Sequence, residues 1–184
     1  MRKIQKFFEF YQTDISASNQ SLPHTDCIVI KDIKIINGEN QWSESKTKLI
    51  HMILDLDEFE EFPSNKIPNF YETLTRVLPS LYTHRCSVGI SGGFFSRVRE
   101  GTWLGHIVEH IALELQTLAG MNTGWGRTRG FKNQKGVYNV VFNFTNKDCG
   151  VYAARKSVKI VKDIINGSEP NIENVVNNLR KLNY

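Results

Sequence analysis

The sequence predicts an α+β fold, a single domain in which a mixed β-sheet of about four strands packs against two or three long helices. Three observations lead there. The runs CIVIKDIKII (27–36) and KLIHMILDL (48–56) are rich in β-branched and apolar residues, and KGVYNVVFNF (135–144) alternates as a strand does. Apolar residues take helical spacing at 102–119 and 151–165. The chain has 184 residues, 40% of them hydrophobic, enough for one core and too few for two ordinary domains.

Residues 1–37 are expected to form an N-terminal extension and the first strand, which Asn37-Gly38 ends with turn chemistry. The opening MRKIQKFFEFYQ interrupts its apolar residues with Lys6 and Glu9, so no signal-peptide core is expected, and no apolar run is long enough to span a bilayer. Cys27, Cys86 and Cys149 are odd in number and far apart, which suits a reducing compartment. A cytoplasmic protein without a membrane partner is expected. The main domain is placed at 38–166. Within it, NFYETLTRVL (69–78) has helical spacing until Pro79, and CSVGISGGF (86–94) has the glycine content of a loop lining something. The firmest helix runs from Thr102 to Ala119 and closes at Gly120, with Leu104, Ile107, Val108, Ile111, Leu115 and Leu118 on one broad face. After Asn166-Gly167 and Pro170, residues 167–184 offer a further amphipathic helix or a connection to another domain.

The net charge of +4, with acids and bases interspersed, calls for neither nucleic acid nor membrane. Two local clusters stand out beside glycines: Arg97 with Arg99, and Arg127 with Arg129.

The central helix carries His106, Glu109 and His110, which spell H-x-x-E-H, the inverted zinc-peptidase signature. Imidazoles four positions apart on a helix reach one ion, and the intervening glutamate projects toward its water as the base. The same residues also fit the solvated side of an amphipathic helix. Leu113 in the middle of that side, and the glycine-rich segment before it, favour a site. A zinc hydrolase needs a third protein ligand. Glu114 is eight residues beyond His106, about 12 Å along the axis, too far to share the ion, yet placed to orient His110 from one turn away. The candidates for third ligand are His84 and Cys86, flanking Arg85. No phosphate loop is present, and Ser91-Gly92-Gly93 lacks the partners of a serine nucleophile.

A series of segments resembles the N-terminal domain of cyanophycin synthetases: GENQWS (38–43), LDLDEFEEFPSNKIPNFYETL (54–74), LPSLYTHRCS (78–87), GGFFSRVREGTWLGHIVEHIALELQTLAG (92–120), GWGRTRG (124–130) and GVYNVVFNF (136–144). The matches cover residues 38 to about 162 and are densest at 84–130. Val88, Ser91 and Trp125 depart from the family's usual residues. The resemblance implies a module that holds cyanophycin, a poly-aspartate chain bearing arginine on each side-chain carboxyl. ATP-grasp and Mur-ligase-like domains, not among these 184 residues, would elongate the chain with ATP and magnesium. It also implies, for some members, hydrolysis of the polymer into primers, in which the motif glutamate, Glu109 here, takes part, and a homo-oligomeric parent enzyme. Arg97, Arg99, Glu100, Arg127 and Arg129 then become candidate polymer contacts, since each repeat offers a guanidinium and a carboxylate. A stand-alone zinc-dependent cyanophycin hydrolase is the alternative. A nucleic-acid-binding domain built on the arginine pairs is the weaker third, with nucleic acid not an expected partner.

Overall fold

The structure, a computed structural model, describes residues 21–39, 42 and 47–183. The expected extension at 1–20 lies outside the described residues, as do positions 40, 41 and 43 of the first resembling segment.

Four strands form one sheet: β1 (Val29–Asn37), β2 (Lys48–Asp55), β3 (Gly126–Phe131) and β4 (Gln134–Asn143), in the order β1-β2-β4-β3. Every pairing is antiparallel, so the sheet is not mixed as expected. β1 and β2 pair directly, β3 and β4 form a hairpin, and β4 pairs antiparallel with β2 after the helices that separate them in the chain. Alternation along the strands divides the two faces. Ile50, Met52, Leu54, Val140 and Phe142 point into the main core. Leu49 and Val141 point the other way and, with Trp42, make a small second cluster against Ile36 and Trp125.

The helices lie against the first face: α1 (Phe70–Val77), α2 (Gly93–Glu100), α3 (Leu104–Leu118), α4 (Lys147–Ile165) and α5 (Ile172–Leu182). α2 occupies part of what was expected to be loop. It starts from Gly92, whose φ of +82° a side chain would strain, and at Gly93 an ideal Cβ would stand 2.4 Å from the Arg85 carbonyl oxygen, so this close approach requires glycine. α4 begins earlier than its apolar spacing suggests because the Asn146 side chain caps it, accepting from the backbone N–H of Asp148 at 2.9 Å and Cys149 at 3.5 Å. Residues 172–182 are a docked helix: Val175, Val176 and Leu179 are buried, and the Arg180 guanidinium donates to the Leu118 carbonyl at 3.0 Å. Among the described residues no helix is long and apolar enough to cross a membrane.

α3 packs against both the sheet and α4 and is buried from Ile107 to Gln116. Its apolar face joins the core as expected. Its polar face is not the solvated side that an amphipathic helix would show, because Glu109 is 5% exposed, His110 7% and Glu114 3%. A second cover of α2, β3 and the segment around 84–86 lies over it, which places the functional residues inside the molecule.

Close packing between α4 and the sheet gives a direct check. A Cβ on Gly150 would fall 2.9 Å from both Ile50 Cγ1 and Phe144 Cβ. Gly150→Leu should therefore lower unfolding free energy by about 1–3 kcal/mol through overpacking. Urea titration measures this, and an unchanged midpoint would contradict the packing described.

Candidate functional site

α3 forms the floor of an elongated cavity of about 890 Å³. One wall is the stretch Trp125–Thr128 leading into and along β3, the other the stretch Thr83–Ser87, and Trp103 stands at the mouth, 43% exposed. The three motif side chains, His106, Glu109 and His110, line this groove together with Glu114. They do so because their positions on the helix lie opposite the residues committed to the core.

A chain of hydrogen bonds fixes the imidazoles. Burial alone would raise the Glu114 carboxyl, but hydrogen bonds from His84 and Ser80 and the charge interaction with His84 outweigh it and hold the group below the usual carboxylate value. The ionised carboxylate accepts from His84 Nε2 at 2.8 Å. In the tautomer whose His84 proton sits on Nε2, toward Glu114, the His84 Nδ1 lone pair accepts from His110 Nδ1 at 2.8 Å. His110 stacks on Phe94 with ring centroids 4.1 Å apart, and burial holds its pKa well below the ordinary histidine value, the charges of His106 and His84 adding to the effect. It is therefore neutral, and in that tautomer its Nε2 carries the lone pair.

That lone pair points at a second donor. His106 Nε2 lies 3.1 Å from His110 Nε2, while His106 Nδ1 is 3.0 Å from Thr102 Oγ1, which can accept from it and leave Nε2 bare. Burial, aided by the Arg97 charge, lowers the His106 pKa to about 4. Cys86 Sγ lies 3.3 Å from the same His106 nitrogen. Two lone pairs and a sulfur this close repel unless a shared proton or a cation sits among them.

The three donor atoms of Cys86, His106 and His110 lie within 4.8 Å of one another. Zinc–nitrogen and zinc–sulfur bond lengths in a tetrahedron imply donor separations of about 3.3 Å for two nitrogens and about 3.6 Å for nitrogen and sulfur. The observed 3.1 and 3.3 Å fit such an ion to within a few tenths of an ångström. Three protein donors would leave a zinc ion one coordination position for water. His84, the other candidate third donor, has both ring nitrogens engaged, with Glu114 and with His110. Glu114 thus reaches His110 through His84 and not directly, contrary to the one-turn contact expected. Cys86 itself has φ +52°, a strained value for a side-chain-bearing residue, in the short turn that brings its sulfur to the helix.

Glu109 lines the same groove. Its Oε2 accepts from the Thr128 hydroxyl at 2.6 Å, and its Oε1 lies where a side chain on Gly126 would intrude, 2.7 Å from the ideal Cβ position. Burial raises its pKa to about 7, against the opposing pull of Thr128 and Arg127. Neither Thr128 nor Phe94 was expected at the site, since the strand carrying Thr128 and the helix carrying Phe94 both have glycine-rich approaches that read as loop. The threonine between two arginines in GRTRG was the one available sign of alternation.

The candidate polymer contacts separate. Arg97 and Arg127 line the groove. Arg99 lies elsewhere, its guanidinium donating to the Tyr71 hydroxyl at 2.8 Å and standing 4.6 Å from that ring's centre. Arg129 projects from the opposite face of the sheet over Trp42, at 5.1 Å. Glu100 is exposed at the end of α2, outside the groove.

Comparison with known proteins identifies the family. The sequence model of a family described as the cyanophycin synthase-like N-terminal domain matches residues 51–166, which include all of α3, β3 and the 84–86 segment. The cyanophycin synthetase of Synechocystis sp. is 48% identical over 147 residues, 80% of this chain and 17% of that protein. That of Trichormus variabilis is 51% identical over 145 residues, 78% of this chain and 16% of its own, and that of Geminocystis herdmanii 49% over 147 residues. The matched segment thus spans only 17% or less of the length of these relatives. By the extent of the family match and the identity to these relatives, the chain belongs to the family of cyanophycin synthase-like N-terminal domains.

Proposed function

We propose that this domain binds cyanophycin and cleaves it hydrolytically at a zinc site formed by His106, His110 and Cys86, with Glu109 as the base. The convergence of those three donor atoms in a groove that also holds a buried carboxylate is the observation that carries the reading. The groove has chemistry for both halves of a repeat. Arg97 and Arg127 can take carboxylates, and Trp103 and Trp125 offer ring faces to a guanidinium. In longer relatives the same module would hold the polymer for ATP-grasp and Mur-ligase-like domains.

Zinc held there would polarise an amide carbonyl and acidify a water. The remaining work falls to the chain. Thr128 fixes one oxygen of Glu109 by donating to Oε2, which leaves the other free to take a proton from water. A carboxyl with a pKa of about 7 can both accept that proton and return it to the leaving amine near neutral pH. The Glu114–His84 pair keeps the proton of His110 on Nδ1, so that Nε2 remains a donor to the ion.

Incubating the purified domain with cyanophycin, with and without chelator, and measuring co-sedimentation and release of shorter chains tests the whole reading. Polymer that binds and stays intact in the zinc-loaded protein would remove the hydrolase and leave the binding module. Glu109→Gln should keep co-sedimentation within about twofold and cut chain release by about 10²–10⁴-fold. One zinc per chain is expected, raising the thermal midpoint, with Cys86→Ser and His110→Ala each losing it. Metal analysis and calorimetry of the two variants check this; full zinc content in either would move the ion elsewhere. Gly126→Ala should displace the Glu109 carboxylate, lowering chain release on the order of 10²-fold while zinc content stays intact.

A further inference from the structure

β3 is an edge strand. It pairs with β4 on one side, and among the described residues no strand pairs with its other side. The hydrogen-bond phase of the hairpin decides which backbone groups are left over. The Asn143 N–H donates to the Trp125 carbonyl at 3.0 Å, so this opposed pair is a hydrogen-bonded one. Register then places Arg127 with Val141 and Arg129 with Asn139 as the next bonded pairs. Gly126, Thr128 and Gly130 alternate with these and turn their N–H and C=O groups away from β4, toward the free edge.

The side chains of those three residues do not obstruct an approaching chain. Two are glycines, and the third turns its hydroxyl under the strand to Glu109. Natural edge strands are usually blunted by proline, by charge aimed at the edge or by a bulge. Here the bulge falls only at the far end, between Gly130 and Phe131, so 126–130 remain straight and available. The edge also borders the groove, whose walls are the Trp125–Thr128 stretch on one side and Thr83–Ser87 on the other, with α3 beneath.

We infer that the free edge of β3 receives the main chain of the polymer as an added antiparallel or parallel strand, so that the poly-aspartate backbone itself is read by hydrogen bonds from Gly126, Thr128 and Gly130. This rests on the polymer-binding reading above. Strand addition lets the backbone supply affinity while alternate side arms supply specificity. Arms on one face enter the groove above α3, toward Glu109 and the Cys86–His106–His110 cluster. Arms on the other face meet Arg129, whose guanidinium matches the arms' free carboxylates in charge. Gly126–Gly130 is about 16 Å long at strand spacing, which accommodates about five repeats.

Main-chain N-methylation separates this from recognition of the arms alone. An added strand uses only alternate residues toward its partner. A synthetic hexamer of the arginyl-aspartate repeat, methylated on every second aspartate nitrogen, can still present its unmethylated edge. The same hexamer methylated on every aspartate nitrogen cannot. By isothermal titration calorimetry at fixed salt, the alternate hexamer should bind the full chain within about twofold of the unmodified one, and the fully methylated hexamer about tenfold or more weaker, the loss of a few modest hydrogen bonds. Gly130→Pro should weaken the unmodified hexamer similarly with the fold retained by circular dichroism, since an edge strand tolerates proline where the N–H faces outward. Equal affinity of all three hexamers, or equal loss for the two methylated ones, overturns the edge proposal and leaves polymer binding in place. If the unmodified hexamer does not bind at all, the polymer-binding reading fails and takes this one with it. A change of oligomeric state in Gly130→Pro without loss of hexamer affinity would assign the edge to a second copy of the chain, and would likewise overturn it.

Discussion

Four ionisable side chains on one fifteen-residue helix face inward, and most of the structure around them answers that single constraint. An isolated charge or unbonded polar group in an apolar interior costs several kcal/mol, so each must be neutral, bonded or both. The elements covering α3 meet that need one side chain at a time. The 79–86 turns bring His84 to Glu114 and Cys86 to His106. α2 lays Phe94 against His110, the turn before α3 brings Thr102 to His106, and β3 brings Thr128 to Glu109. None of these contacts is local in sequence except that of Thr102, so the groove exists only when the whole domain is folded.

The same burial moves the acid and the bases in opposite directions. It lifts Glu109 to about 7 and depresses His106 to about 4, because desolvation penalises the charged form whichever sign it carries. Near neutral pH the imidazoles are neutral donors, so no proton must be displaced before they can hold a cation. Only Glu114 is drawn toward ionisation, and its negative charge lies behind the donors, two rings removed from His106. A carboxylate–imidazole pair behind a donor nitrogen raises its basicity without competing for the ion. The separation of one carboxylate that stays charged from another poised near neutrality comes from their partners: a histidine for Glu114, a hydroxyl for Glu109.

Much of this was legible in the residue pattern, and the exceptions share a cause. The helix of His106, Glu109 and His110 announces itself by periodicity and by Gly120, and three of four strands by β-branched alternation. Periodicity, however, describes a helix against one neighbour. On a wheel His110 and Leu113 lie away from the apolar face, and only the second cover, invisible to a single-helix pattern, makes them interior. Cys86 and His84 were equal as third donors because spacing says only that they are near each other. The hydrogen bonds that occupy both nitrogens of His84 come from α3, over twenty residues away in sequence. Arg99 and Arg129 lie over Tyr71 and Trp42, outside the groove, a placement that periodicity cannot foresee.

β3 is the fullest case of tertiary structure overriding local preference. Glycine at 126 and 130 weakens a strand, and nothing in GRTRG buries enough to hold one alone. Yet position 126 has to be small, because a side chain there would strike Glu109. A threonine at 128 is long enough to reach the Glu109 carboxylate and no longer. The strand therefore depends on β4 for its backbone pairing and on α3 for its position. The substitutions that would make it a better strand by propensity would close the groove it borders. Low intrinsic preference at β3 is the local cost of bringing a hydroxyl donor and an open sheet edge to the same side of the central helix.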